Sequence, residues 1–155
     1  MPKHTFSTIM LLAEGTEEGM QAARSAIELA ADEEAALVVV SVVDTATLRQ
    51  LLTSRIFVEE EMNEYEKELE VSCRMQLGYT VSLAERQNIK TRAVLQKGAC
   101  HTIVLQEQRT HGADLLVMGA FRTSMIKTDL MAREKQLIIE DVSCPVLLVP
   151  AVGRR

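Results

Sequence analysis

Short apolar runs alternate with longer amphipathic stretches along this chain, and that alternation limits its fold more than any other feature. Thr8–Ala13, Ala36–Val43, Lys90–Leu95, Leu115–Met118 and Val146–Val149 are such runs, each bounded by polar or turn-forming residues. Runs of this length predict strands covered on both faces. Ala36–Val43 is the clearest, being rich in β-branched residues. Between the runs the period changes. Thr16 predicts an N-cap, with Glu17 and Glu18 at the positive end of the helix behind it, and Met20, Ala23, Ile27 and Ala30 recur at spacings of three and four. A long helical pattern runs from Ile56 to about Gln87, with Val58, Met62, Tyr65, Leu69 and Cys73 along one face and Gly78 inside it. Two further helices are predicted, from Cys100 to Thr110, stopped by Gly112, and from Leu130 to Glu140. The stretch from Asp44 to Ser54 fits neither period. Strands alternating with helices predict an α/β fold with a parallel sheet and helices on both faces. Ligands in such folds bind at the C-terminal ends of the strands, where the strand order reverses. The residues to weigh are then Ala13-Glu14-Gly15, Val42 to Asp44, Gly98, and Gly119 to Arg122.

Composition narrows the function classes. A chain of 155 residues suits one domain, read here as 1–155, with one sizeable core. Its net charge of −5 opposes a general nucleic-acid or anionic-membrane surface, and no Trp, two Tyr and three Phe leave little for a base-stacking platform. No run approaches the length of a membrane span. Met1-Pro2-Lys3-His4 leads into an apolar run too short for a secretory signal, and Cys73, Cys100 and Cys144 form no Cys-x-x-Cys pair. Buried free thiols in a reducing cytoplasm are expected. The glutamate-dense run Glu59–Glu70 reads first as a solvated helix face, with an interaction surface as the alternative.

Catalytic chemistry finds little support. Cys100 and His101 are adjacent, so on a helix their side chains diverge by about 100°. His111 near a helix C-terminus is expected to cap carbonyls or favour the dipole, His4 sits in the terminus, no His/Cys/Asp cluster has metal-ligand spacing, and a Walker A motif is absent. Glu14 lacks the acidic neighbour that a phosphoacceptor site requires. No catalytic or metal-binding residue is assigned, and the chain is not expected to be an enzyme.

Several strings together resemble the universal stress protein family. They are Ile9–Glu17, Ala36–Asp44, Gly112-Ala113-Asp114-Leu115-Leu116-Val117-Met118-Gly119, and Ser143-Cys144-Pro145-Val146-Leu147-Leu148-Val149-Pro150. The resemblance spans nearly the whole chain. It implies a three-layer, doubly wound five-stranded parallel sheet in the order 3-2-1-4-5, of the adenine nucleotide alpha hydrolase-like kind. It also implies a homodimer paired through the last strand, Val146, Leu147, Leu148 and Val149.

Nucleotide-binding members of that family carry Gly-x-x-Gly and, further on, Gly followed by Ser or Thr. Carried over residue by residue, these positions fall on Gly119, Arg122, Ala132 and Arg133, so only the first is kept. The family's Asp at the end of the first strand falls on Glu14, and the position against adenine falls on Val42. Arg at 122 removes the backbone freedom of glycine and brings a long side chain to the turn. Arg133 replaces a hydroxyl that could serve phosphate or Mg²⁺. Leu130-Met131 followed by Gln136-Leu137-Ile138 resembles the subgroup typified by universal stress protein A, which lacks the glycine motif. The expectation is a non-catalytic stress-response protein that acts through dimerisation and contacts with an unidentified protein partner, with no cofactor. The alternative is an adenine-nucleotide sensor holding ATP or AMP with Mg²⁺ on a modified phosphate loop. Ala13, Glu14, Val42, Gly119, Arg122, Ala132 and Arg133 would line its site, the two arginines supplying charge to an anion.

Overall fold

The structure is a computed structural model that describes residues 4–53, 58–126 and 129–152. The element order is β1 (Thr8–Leu12), α1 (Glu17–Glu33), β2 (Ala36–Val43), α2 (Thr45–Thr53), α3 (Glu59–Arg86), β3 (Thr91–Lys97), α4 (Cys100–His111), β4 (Leu115–Gly119), a 3-10 turn (Thr123–Met125), α5 (Leu130–Asp141) and β5 (Val146–Val149). The sheet is parallel throughout, in the order β3-β2-β1-β4-β5. The order reverses between β1 and β4, which opens a crevice beyond their C-terminal ends.

Alternate residues of the central strands supply two cores, as the twofold period of a strand requires. Ile9, Leu11, Leu37, Val39, Leu115 and Val117 face α1 and α3, where Ala22, Ala26, Ala30, Leu77 and Ala84 close on them. Met10, Leu12, Val38, Val40, Leu116 and Met118 face the other way, toward Cys100, Val104 and Ile138 of α4 and α5. Both sets pack side chains that are almost wholly withdrawn from solvent.

Local chemistry sets the element ends. Thr16 caps α1 by accepting the Gly19 amide at 3.0 Å. Gly112 stops α4 with φ of 62°. Asp114, in the string that carries the family resemblance, accepts the amides of Ser7 at 2.9 Å and Thr8 at 3.1 Å. Its carboxylate thereby fixes where β1 begins.

The structure departs from the sequence reading in a few places. The stretch after Asp44 forms α2, capped by Asp44, which accepts the Thr47 amide at 2.8 Å and the Thr47 hydroxyl at 2.9 Å. An Asp ending a strand and capping the next helix resembles a loop in sequence, because a helix of this length has little room for a periodic face. In α3, Val58 is the exposed N-cap and Tyr65 is exposed, while the buried positions are Leu77, Thr80 and Ala84. Only the C-terminal half of α3 lies on the sheet, so the apolar residues of its first half do not form a core face. Gly78 sits on the open side, where an added Cβ would meet nothing within 4 Å. Strand β3 runs on to Lys97. Of the three free thiols, Cys100 is buried while Cys73 and Cys144 are half-buried. Ile56 and the Arg154-Arg155 tail lie outside the described residues.

Candidate functional site

The crevice at the sheet's reversal point is held together by Glu14, Gly119 and Lys135. Glu14 follows β1 and reaches across to the end of β4, where Oε1 accepts the Gly119 amide at 3.3 Å. Its other oxygen, Oε2, pairs with Lys135 Nζ at 2.8 Å. Lys135 comes up from α5 and also donates to the Gly119 carbonyl at 3.0 Å. Gln76 of α3 donates to the backbone carbonyl of Glu14. Lys135 is only 4 % exposed, an unusual position for a lysine and one tolerated because its charge is matched. Burial pushes the Glu14 carboxyl above its ordinary value, while the Lys135 ammonium and the Gly119 amide pull it back down.

Gly119 has a packing reason to be glycine. Its φ is not positive, and a Cβ there would lie 2.9 Å from the carbonyl carbon of Glu18 and from the amide nitrogen of Gly19. A Cβ on Gly19 would lie 2.6 Å from the Glu14 oxygen. The two glycines let the first turn of α1 close directly on the end of β4.

The N-terminus of α5 is likewise occupied from within. Asp129 Oδ1 accepts the amides of Met131 at 2.9 Å and Ala132 at 3.3 Å. These are the groups that a free helix N-terminus offers to an anion. Between this cap and the Glu14–Lys135 pair lies a hollow of about 350 Å³, bordered by Glu14, Glu18, Phe121, Arg122, Asp129 and Ala132.

The sequence-predicted positions therefore separate. Glu14, Arg122 and Ala132 border this hollow, and Gly119 meets it through its backbone bonds to Glu14 and Lys135. Ala13 points to the opposite side of the sheet, beside a smaller hollow of about 110 Å³ between α1 and α3. Val42 packs against the core under α4 and α5. Arg133 borders a separate hollow of about 300 Å³ with Thr47, Gln50, His101 and Glu134. Lys135, Asp129 and Gln76 are the site residues that sequence reasoning missed. A signal existed for the first: Ala132, Lys135 and Ile138 share one face of α5, so a lysine stands on an apolar stripe.

The cysteine and histidine candidates are engaged within the fold. Cys100 is in the core and its thiol is pushed strongly upward by burial, which disfavours the thiolate. His101, next to it, turns to Glu134 of α5, which also accepts the His101 amide at 2.9 Å. His111 pairs with Glu107 at 3.0 Å one turn earlier. Among the described residues, no group of three or more His, Cys, Asp or Glu side chains could hold a metal ion. No helix among them is long and apolar enough to cross a membrane.

A doubly wound parallel sheet in this order, with an open crevice beyond β1 and β4, defines a Rossmann-like α/β protein of the stress-protein kind. The chain matches the universal stress protein family over residues 5–150 and belongs to it. None of the curated proteins compared with it matches. Among solved structures, a universal stress family protein from Burkholderia pseudomallei is 22% identical, with a TM-score of 0.71 over 97% of this chain and 100% of its own. A universal stress protein in complex with cAMP is 16% identical, with a TM-score of 0.64 over 94% and 98%. The universal stress protein from Archaeoglobus fulgidus in complex with dAMP is 15% identical, with a TM-score of 0.59 over 92% and 97%. At these identities the likeness establishes the fold.

Proposed function

We propose that this universal stress protein is non-catalytic, leaves ATP unbound, and acts in the cytoplasm as a homodimer through protein contacts. The observation that carries this reading is the internal occupation of the phosphate-facing donors. The Gly119 amide bonds Glu14, and the Met131 and Ala132 amides bond Asp129. A phosphate entering the hollow would have to displace carboxylates of its own charge sign, and the nearest buried cation, Lys135, is already matched by Glu14. Arg122, which borders the same hollow, is exposed. The relatives holding cAMP and dAMP motivate the competing reading, an adenine-nucleotide sensor built on Ala13, Glu14, Val42, Gly119, Arg122, Ala132 and Arg133 with Mg²⁺. Only Glu14, Arg122 and Ala132 of those side chains border one hollow.

The homodimer reading rests on β5. The strand is an edge of the sheet, and Leu147 and Leu148 are 39% and 38% exposed. An apolar edge strand is a pairing surface, and joining two copies of Val146–Val149 would remove it from water. The test of the ATP reading is direct. Protein purified without added nucleotide is denatured, and the supernatant is chromatographed for adenine nucleotides. No stoichiometric ATP or AMP is expected; release of about one nucleotide per chain would establish the competing reading.

A further inference from the structure

Helix α3 presents a continuous outward row that the fold does not use. Glu60, Glu61, Glu64, Glu68, Val71, Met75 and Tyr79 fall within about 100° of arc, and the row is about 28 Å long, at 3.6 residues and 5.4 Å per turn. Val71 is 56% exposed, Met75 71% and Tyr79 68%. Met20 of α1, also exposed, flanks the same end beside the hollow between α1 and α3 that Tyr79 borders. The other end is acidic. Glu59 and Glu66 are matched by Arg49, and Glu70 by Arg74 and Lys97. Glu60, Glu61, Glu64 and Glu68 are exposed and make no ion pair among the described residues.

We infer that this row is a docking surface for a cationic amphipathic helix of a partner protein, a proposal that rests on the protein-contact reading above. The argument is charge complementarity joined to apolar anchorage. The unmatched glutamates attract Lys and Arg, while Val71, Met75, Tyr79 and Met20 offer an apolar landing, with the methionines able to fit varied partners. An anionic membrane or a nucleic acid would meet the same glutamates as repulsion. A second copy of the chain would set glutamates against glutamates if parallel, and glutamates against Val71, Met75 and Tyr79 if antiparallel, so neither pairing matches charge. Rows of this kind are solvated on ordinary helices, but a solvated row does not carry three large apolar side chains at successive i, i+4 positions.

The probe is a fluorescein-labelled 18-residue helical peptide of Lys and Leu, with a Glu/Leu peptide of the same pattern as control, read by fluorescence anisotropy. The Lys/Leu peptide is expected to bind saturably and the Glu/Leu peptide not at all. Met75→Ser with Tyr79→Ser should weaken binding about tenfold or more, as loss of anchors at a contact centre does. The quadruple Glu60→Gln, Glu61→Gln, Glu64→Gln, Glu68→Gln should also weaken it about tenfold and flatten its salt dependence. A second quadruple with the same charge change away from α3, Glu28→Gln, Asp32→Asn, Glu140→Gln, Asp141→Asn, should bind as the unaltered protein does. Equal loss in both quadruples, no effect of the Met75 and Tyr79 changes, equal binding of the Glu/Leu peptide, or no saturable binding would each overturn the α3 surface. The same proteins titrated with ATP separate the two failures: ATP binding overturns the protein-contact reading, whereas failure of the peptide alone overturns only this surface.

Discussion

At the scale of single residues, the crevice turns on Glu14 and Lys135. Each is tolerated in the interior because the other is 2.8 Å away. Removing one partner from a buried pair costs about 3–5 kcal/mol, far more than the pair contributes net, because a charge is left unmatched. Lys135→Met should therefore lower stability in urea by about that much near neutral pH. Glu14→Leu combined with Lys135→Met should cost less than either change alone, since no charge remains. The loss in Lys135→Met should also depend on pH. The Glu14 carboxyl, with an ordinary value of 4.5, is already pushed up by burial, and the variant loses the strongest downward pull on it. A carboxyl raised in the folded state holds its proton more tightly folded than unfolded, so stability falls as pH rises from the ordinary value through the folded one. The deficit should shrink toward acid pH and reach its full size once Glu14 is ionised. A deficit of constant size across pH would show that the carboxylate is not the buried charge.

At the scale of elements, the sheet is built from segments whose pattern and surroundings agree. β1, β2 and β4 are buried on both faces, and their apolar runs read as strands from sequence alone. The α1 and α4 ends were legible for a similar reason, since Thr16 and Gly112 satisfy backbone groups locally. What escaped sequence reading is either too short to show a period or depends on contacts between distant segments. α2 is a short helix after a buried capping Asp44, and the exposed first half of α3 has apolar residues without a core to meet. Gly119 falls on the family's motif glycine, and in the fold it also admits the first turn of α1, a packing role that the sequence did not show. The role of Lys135 depends on a partner more than a hundred residues away in the chain. β5 gives the prediction at this scale. If two copies pair through Val146–Val149, Leu148→Lys places a charge in the apolar joint and should shift the protein to monomer in sedimentation velocity. An unaltered sedimentation coefficient would place the dimer contact elsewhere.

At the scale of the whole molecule, the crevice at the sheet's reversal point is lined by the protein's own carboxylates, with a hollow of about 350 Å³ left open between them. Family membership and strand order were legible in Gly112–Gly119 and Ser143–Pro150, strings that build β4, β5 and the clamp of Asp114 on β1. By resemblance alone, Arg122, Ala132 and Arg133 fall where nucleotide-binding members carry the later residues of the glycine motif. The pairing of Glu14 with Lys135 was not legible, because the two lie far apart in the chain until the fold brings them together, and Asp129 gave no sign in sequence of capping α5. With carboxylates on the Gly119, Met131 and Ala132 amides and Lys135 matched by Glu14, the proposed reading is that ATP is left unbound. Isothermal titration of the purified protein with ATP and Mg²⁺ tests this most directly. The account predicts heats no larger than those of dilution; saturable binding of one nucleotide per chain at micromolar affinity, about −8 kcal/mol, would contradict it.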